Sequence, residues 1–441
     1  MRWNRFQLDA KTLLILAIIG HLLLFIRMAV LYAPSLSYQG PIGFDRVFYY
    51  AYARSLVIDG DLDFSNEMAM RTPCIPSAVR YSENGTPLNK YPIGMPLLAL
   101  PFFGLAHVLV LSATSLGLTH LPADGYSAPY ALAFALAQLF WVLLGMILLY
   151  RTVAKYYRPK TAALAVITCW FGTNALYYTA TDLMMSHAAA LFSIAWCSYQ
   201  SVRLRDCCTS WAAWLLVGIS SAFVVLVRYQ NAVYLLVPGV AALLVLGRAL
   251  ETLPPTRALL RPLVGLIGFL FAYAPQLCVW KILYGSWLTY SYENETFDWL
   301  HPHLVEALFD PNHGLAIWLP VLIIGIVSGF LVAVRRMDPI ALAAVIALLI
   351  HLYVSAAWWY PRLITRTTFD MLFPLTLGFA FTLDRLERKS AKAAFAFSAL
   401  LILWSVPLMR NADANQVLPL PQCWLVGVVR MFGLERFVSL G

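Results

Sequence analysis

The sequence predicts an all-α, polytopic membrane protein, a bundle of about 10–12 spanning helices. Of its 441 residues, 61% are hydrophobic and only 12% are charged, whereas soluble domains are about half apolar and about a quarter charged. Apolar runs long enough to cross a bilayer recur along the chain, and Lys and Arg gather in the short segments between them. This composition excludes a soluble enzyme, a disordered chain and a secreted disulfide scaffold.

Each apolar run is predicted to be a helix, because backbone polar groups in lipid must be satisfied within their own segment. The first run follows Arg2, Arg5 and Lys11 and is too long for a signal-peptide core, so it predicts an uncleaved span that starts inside. We expect residues 1–409 to form one membrane module and residues 410–441 a short outer tail. The runs are 12–32, 92–117, 128–150, 160–178, 184–202, 211–227, 231–247, 260–284, 313–334, 340–357, 369–384 and 393–409.

The basic clusters predict how the helices are oriented. From residue 151 onward, strict alternation places every cluster inside, which also explains the net charge of +9 without a nucleic-acid partner. One conflict remains, because two apolar runs separate an outer segment at 33–91 from an inner one at 151–160. Either a segment within 92–150 is re-entrant or broken, for instance at Pro101, or the positive-inside rule fails once.

Half of the acidic residues fall in two stretches, the first loop (33–91) and the second loop (285–312). Both are predicted to lie outside, and a loop of nearly 60 residues is rarely only a connector. Within the first loop, residues 45–58 place apolar and aromatic side chains at helical spacing. This spacing predicts an amphipathic helix along the membrane surface, with Gly60 as its C-cap. The eleven acids are Asp45, Asp59, Asp61, Asp63, Glu67, Glu83, Glu293, Glu295, Asp298, Glu306 and Asp310.

Three of these acids could carry chemistry. Asp45 begins the interfacial helix, where a carboxylate can act as a base toward an acceptor hydroxyl, bind a divalent cation, or simply cap the helix. Asp61 and Asp63 form an Asp-Leu-Asp pair that could share a metal with Asp45 or could be ordinary loop acids. A divalent cation, Mg²⁺ or Mn²⁺, is therefore included among the cofactors that we consider.

Basic residues on the predicted outer face run against the positive-inside trend, and binding of an anionic substrate phosphate would account for them. Lys90 lies where the first loop re-enters the membrane and is either a phosphate ligand or a snorkelling anchor. Arg228, Arg362 and Arg366 either bind phosphate or pair with the acidic loops. Two neighbours of these candidates, Arg46 and Tyr91, are further candidate substrate-binding residues.

Asp182 and His187 lie between two predicted spans. Ionisable residues at membrane depth are functional candidates by default, although a lone histidine is more often a packed, hydrogen-bonded residue. The sequence has no Walker A, His-Glu-x-x-His, Gly-x-Ser-x-Gly or Gly-x-Gly-x-x-Gly motif. Without a nucleotide-binding domain, any chemistry uses a membrane-borne activated donor or needs no ATP.

Several stretches occur in an informative order. After the first helix come F-D-R-V-F-Y-Y-A-Y-A-R-S-L with D-G-D-L-D-F, then N-K-Y-P-I-G-M-P-L-L-A-L-P-F-F, then Y-Y-T-A-T-D-L-M-M-S-H-A, L-V-R-Y-Q-N-A and D-P-N-H-G-L-A-I-W-L-P. This order resembles the polytopic GT-C glycosyltransferases, over most of residues 1–385. More narrowly, it is similar to bacterial protein O-mannosyltransferases and to the aminoarabinose transferases that modify lipid A.

The resemblance implies a sugar on a polyprenyl phosphate as the donor. It makes Asp45 the essential acid and Lys90 the contact to the lipid phosphate, with Arg228 and Arg366 as further phosphate contacts. A second acid falls on Asp182, although the same stretch can be aligned to put Ser186 and His187 there.

We therefore expect a glycosyltransferase of a bacterial inner membrane that moves a hexosyl or pentosyl unit to an acceptor hydroxyl of a lipid, glycan or protein, with its site facing outward between the two loops. One alternative is a transporter or flippase of lipid-linked sugars, which usually has internal repeats of broken helices around the bilayer midplane. A second is a non-catalytic assembly protein, which needs no cavity joining the loops to the lipid.

Overall fold

The computed structural model describes residues 9–31, 45–69, 79–180, 183–207, 210–292, 295–310, 314–336, 338–358 and 368–411. Of the candidate residues, Asp182, Arg362 and Arg366 lie outside the described residues, as does all but the start of the 410–441 tail. The helices are α1 (Ala10–Leu31), α2 (Asp45–Arg54), α3 (Ser65–Ala69), α4 (Gly94–Ser115), α5 (Ala128–Val153), α6 (Pro159–Phe171), α7 (Ala175–Ala180), α8 (His187–Asp206), α9 (Trp211–Val227), α10 (Leu236–Thr252), α11 (Pro255–Tyr284), α12 (Leu304–Phe309), α13 (Leu315–Trp318), α14 (Pro320–Arg336), α15 (Pro339–Ala357), α16 (Leu372–Lys389) and α17 (Ala391–Asn411).

The predicted fold class is confirmed: every predicted apolar run coincides with a helix. Within the described ranges, strands are confined to a two-stranded antiparallel hairpin, β1 (Arg80–Tyr81) with β2 (Pro87–Leu88). Shorter helical turns precede α10 (Tyr229–Leu235) and α16 (Thr368–Met371). In the part of the chain that the structure describes, six helical segments are long and apolar enough to cross a membrane, and three shorter helices are also apolar. The length and apolar composition of these helices indicate an integral membrane protein.

Glycines let the long helices approach closely. A Cβ placed on Gly218 of α9 would lie 1.8 Å from the carbonyl oxygen of Gly265 of α11, so the two backbones are in direct contact. A Cβ on Gly378 of α16 would similarly lie 2.2 Å from the carbonyl oxygen of Gly325 of α14. Small residues at helix contacts are the usual packing device inside a membrane, where lipid removes the hydrophobic drive for association.

Ion pairs gather the helix termini at one end of the bundle, here called the basic end. Lys155 after α5 pairs with Asp206 of α8 at 2.8 Å, and Arg205 pairs with Asp338 before α15 at 2.9 Å. A further pair at 3.3 Å joins Arg158 before α6 to Asp384 near the end of α16. From residue 151 onward, the helices therefore alternate between this end and the opposite one, here called the site end, as the basic clusters predict.

The segments before and after α4 both contact α2. Tyr91, just before α4, binds Asp45, while the backbone carbonyls of Asp124 and Gly125, after α4, accept from Arg54 (3.0 Å) and Tyr50 (2.6 Å). Asp45 and Arg54 are only about 14 Å apart along the helix axis, less than half of a hydrocarbon core. The segment between α4 and α5 therefore lies near the far end of α2, while α4 itself has 22 residues, enough to cross a membrane. The re-entrant segment and the single failure of the positive-inside rule both stay predictions. The helix is not broken at Pro101, which lies inside α4.

The helix predicted at 45–58 forms, as α2 followed by a π-helical turn, Ser55–Asp59. Gly60 ends it at φ 74° and donates its N–H to the Ser55 carbonyl, as predicted. The expectation that one face of this helix meets water was wrong, because every residue from Val47 to Arg54 is buried. Arg54, on a face that was expected to meet water, is covered by Glu67, Asp59 and the ring of Tyr126.

Candidate functional site

The end of the first loop folds back onto the carboxylate of Asp45. Asp45 opens α2, and its Oδ1 accepts a hydrogen bond from the Tyr91 hydroxyl at 2.6 Å. Burial and the Asp45 charge raise the pKa of Tyr91, so that this hydroxyl keeps its proton and donates. Asp45 itself is half-buried. A hydrogen-bonded carboxylate with partial access to solvent can accept a proton from a bound hydroxyl.

Asn89 fixes the geometry of the loop return. Its Nδ2 donates to the Phe48 carbonyl at 2.7 Å, and its Oδ1 accepts from the Tyr91 backbone N–H at 3.1 Å. The Tyr52 hydroxyl adds a bond to the Tyr91 carbonyl at 3.1 Å. Because two of these bonds hold the return against α2 and the third fixes the backbone of the return itself, the Tyr91 hydroxyl has little freedom relative to Asp45.

Lys90 contacts the second loop. Its Nζ lies 2.6 Å from Glu295 Oε1, and it sits 5.1 Å above the ring of Tyr292. The Lys90 carbonyl accepts from the Ser291 hydroxyl at 2.7 Å. About a third of the Lys90 side chain is exposed (35%), so the ammonium is accessible to a ligand from outside the protein.

Arg228 lies deeper, in the bend between α9 and the helical turn before α10. Its Nε lies 3.2 Å from Oδ2 of the fully buried Asp370, and its Nη1 lies 2.9 Å from Nδ1 of His187. The same Nη1 lies 3.5 Å from the Ser186 hydroxyl. Its side chain is 12% exposed, so most of its hydrogen-bonding capacity is used by the protein.

Tyrosine rings connect these groups at the site end. The ring of Tyr49 lies 4.9 Å from that of Tyr91, which lies 6.0 Å from that of Tyr292. Tyr49 is hydrogen-bonded to Ser186 and lies close enough to Arg228 and Asp45 to feel both charges, while burial raises its pKa. The candidate acid, Asp45, thus shares one aromatic-lined region with the candidate cations Lys90 and Arg228.

Other predicted site residues lie elsewhere. Asp61 Oδ1 accepts from the Ser55 hydroxyl at 2.8 Å, and Asp63 Oδ1 accepts from Ser65 at the start of α3. Both therefore stabilise turns at the far end of α2, about 15 Å from Asp45. In the described ranges, no three metal-ligating side chains come together. Arg46 is half-buried in the first turn of α2.

Asp370 was missed by the sequence analysis. The available signal was an acid at the edge of the apolar run 369–384, where an ionisable residue is costly. Glu295 was identified only as one of many loop acids. Neither pairing can be predicted from a single sequence, because Arg228 and Lys90 lie far from these partners along the chain.

A second polar cluster fixes the other end of α2. Arg54 is buried and lies 2.8 Å from Glu67 Oε1, is paired with Asp59, and stacks 4.5 Å from the ring of Tyr126. Glu67 is completely buried. Burial raises the pKa of Glu67 from 4.5 to about 7, although Arg54 opposes the shift. This cluster fixes the first loop to the segment between α4 and α5.

Comparisons with known proteins identify the fold. No family model and no curated protein matches the chain. Among solved structures, ArnT from Cupriavidus metallidurans in the apo state has a TM-score of 0.55 at 15% identity, covering 95% of this chain and 71% of its own. The same protein bound to undecaprenyl phosphate scores 0.52 at 15% identity, covering 95% of this chain and 72% of its own.

A third structure is the apo oligosaccharyltransferase of Archaeoglobus fulgidus, with a TM-score of 0.50 at 12% identity. The match covers 97% of this chain but only 56% of the archaeal protein, so this chain spans little more than half of its length. At such identities the likeness concerns the fold alone. The chain has a GT-C-like fold.

Proposed function

We propose that this protein is a membrane glycosyltransferase that moves a sugar from a polyprenyl-phosphate donor to an acceptor hydroxyl. The observation that carries the proposal is the convergence of Asp45, Lys90 and Arg228 around three touching tyrosines. The GT-C-like fold supports it, since ArnT with this fold has been solved with undecaprenyl phosphate bound. The expected position is a bacterial inner membrane, with the site end facing outward.

The acid has the central role in the proposed step. The acceptor oxygen attacks the anomeric carbon of the sugar, the bond from that carbon to the phosphate oxygen breaks, and the polyprenyl phosphate leaves. Asp45 takes the hydroxyl proton, and Tyr91 orients the carboxylate through its hydrogen bond. Asp182, the second acid that the resemblance implies, remains part of the proposal for orienting the acceptor.

The leaving phosphate needs a cation. Lys90 is the accessible candidate, and its ammonium would exchange Glu295 for a phosphate oxygen. Arg228 is already engaged by Asp370 and His187, so we assign it a long-range electrostatic role. Arg366, Arg46 and His187 remain candidate substrate contacts.

The chemistry does not require a metal at any step written here. We keep the proposal that a divalent cation binds at Asp45, with or without Asp61 and Asp63, and that transfer depends on it. The rate of transfer is measured with a chelator and then with added Mg²⁺ or Mn²⁺. Loss of transfer with the chelator and its return with the metal would show the dependence.

The test uses the purified full-length protein in lipid nanodiscs with a panel of polyprenyl-phosphate sugars. The readout is donor-dependent release of free polyprenyl phosphate. Asp45→Asn should lower the rate by at least about 100-fold without lowering the unfolding temperature, and Asp206→Asn at the basic end is the matched control. Retained activity in Asp45→Asn would move the catalytic acid to Asp61, Asp63 or Asp182. Movement of intact donor across a vesicle bilayer without transfer would instead favour a flippase.

A further inference from the structure

Asp370 lies in the turn before α16 with no exposed side-chain surface. A buried carboxylate is costly unless it is paired and hydrogen-bonded. Its counter-charge is Arg228, whose Nε lies 3.2 Å from Oδ2. The pair joins two segments that are distant along the chain and meet beside α8.

The opposite edge of the guanidinium faces a histidine. Arg228 Nη1 lies 2.9 Å from His187 Nδ1 in hydrogen-bonding geometry. A guanidinium only donates and keeps its proton, so Nδ1 must be the acceptor. An imidazole that accepts at Nδ1 is neutral and carries its one ring proton on Nε2.

This tautomer determines what His187 can do. With one ring nitrogen occupied as an acceptor and the other protonated, the ring has no lone pair left to take a proton. It can donate from Nε2 but cannot serve as a general base. The neighbouring Ser186 bonds to Tyr49, which places this donor next to the Asp45 region.

We propose that Asp370 is a positioning residue that acts through Arg228 to hold His187 as a neutral Nε2–H donor. Proton acceptance in the site is then left to a carboxylate. The tautomer follows from the contacts alone, whereas its consequence for catalysis rests on the proposed glycosyl transfer. The two parts are therefore measured separately.

The first measurement is the ¹⁵N spectrum of the histidine-labelled full-length protein in nanodiscs near neutral pH. The chain has 8 histidines, so the His187 signals are assigned by their loss in His187→Gln. We expect an unprotonated Nδ1 and a protonated Nε2 in the unmodified protein. A protonated Nδ1 would overturn the proposal, and this measurement requires no activity and no change at Asp370.

The second measurement compares variants. Asp370→Asn should mix the two tautomers, and Asp370→Glu, which keeps the charge, should restore the Nε2–H signature. Asp384→Asn is the matched control, because Asp384 is also a buried, arginine-paired acid, in α16 at the basic end. An Asp370→Asn spectrum identical to that of the unmodified protein would overturn the positioning role.

The catalytic consequence is read from the same variants. Asp370→Asn should lower kcat for transfer by about 10- to 100-fold, with partial recovery in Asp370→Glu and little change in Asp384→Asn. Unchanged kcat alongside a changed tautomer would remove His187 from the reaction. If the unmodified protein transfers no sugar from any donor, the proposed function fails while the tautomer result stands.

Discussion

The Tyr91 hydroxyl donates to Asp45 Oδ1 at 2.6 Å, which connects the end of the first loop to the start of α2. The contact orients the Asp45 carboxylate through its Oδ1. The Lys90 ammonium lies 5.3 Å from the centre of the same Tyr91 ring. A base and a phosphate-binding cation can therefore be positioned by one short segment.

Tyr91→Phe tests that orientation. The change removes one hydrogen bond to a charged group but keeps the ring contact with Tyr49. Such bonds are worth about 1.5–3 kcal/mol, so we expect kcat for transfer to fall by about 10-fold or more. Steady-state kinetics with the active donor measures it. Tyr81→Phe, an exposed tyrosine of β1, is the control, and equal rates for both variants would show that Asp45 needs no orienting partner.

Glu295→Gln tests whether Lys90 is held by a group that phosphate must displace. The ion pair is partly exposed, and such pairs are worth up to about 1 kcal/mol. Removing the competing charge should therefore strengthen binding of undecaprenyl phosphate by about 2- to 5-fold, and Lys90→Ala should weaken it. Titration in detergent measures the affinity, with the exposed Glu306→Gln as the control. Weaker binding in Glu295→Gln would mean that Glu295 instead orients Lys90 toward the ligand.

The helices could be predicted from the sequence because lipid imposes a simple rule on every apolar run. What packs against each helix could not be predicted from the sequence. Val47 to Ala53 has the spacing of a surface helix, but α4 packs against α2 and the whole stretch is buried. The pairing of Arg228 with Asp370 also depends on tertiary packing, and the apolar sequence around each residue gives no sign of its partner.

Gly218→Ala tests the contact between α9 and α11. The new methyl group would overlap the Gly265 carbonyl, so the helices must separate. Overpacking of this kind typically costs about 1–3 kcal/mol, and we expect a lower unfolding temperature in detergent. Gly239→Ala in α10 is the control, because no atom lies within 4 Å of its added Cβ. Equal unfolding temperatures for the two variants would contradict the close crossing.

Glu67 predicts how stability changes with pH. Burial raises the pKa of Glu67 in the folded protein to about 7 from an ordinary value of 4.5, so the folded state binds the proton more tightly than the unfolded state. The contribution of Glu67 is therefore fully present below about pH 4.5 and is lost as the pH rises toward about 7. Glu67→Gln stays neutral and should lose less stability than the unmodified protein across that window. Unfolding temperatures in detergent at several pH values, measured for the unmodified protein and for Glu67→Gln, give the difference in stability between them.

The exposed Glu83→Gln is the control and should follow the unmodified protein. If the unmodified protein instead gains stability relative to Glu67→Gln as the pH rises, attraction to Arg54 outweighs burial and the sign argued here is wrong.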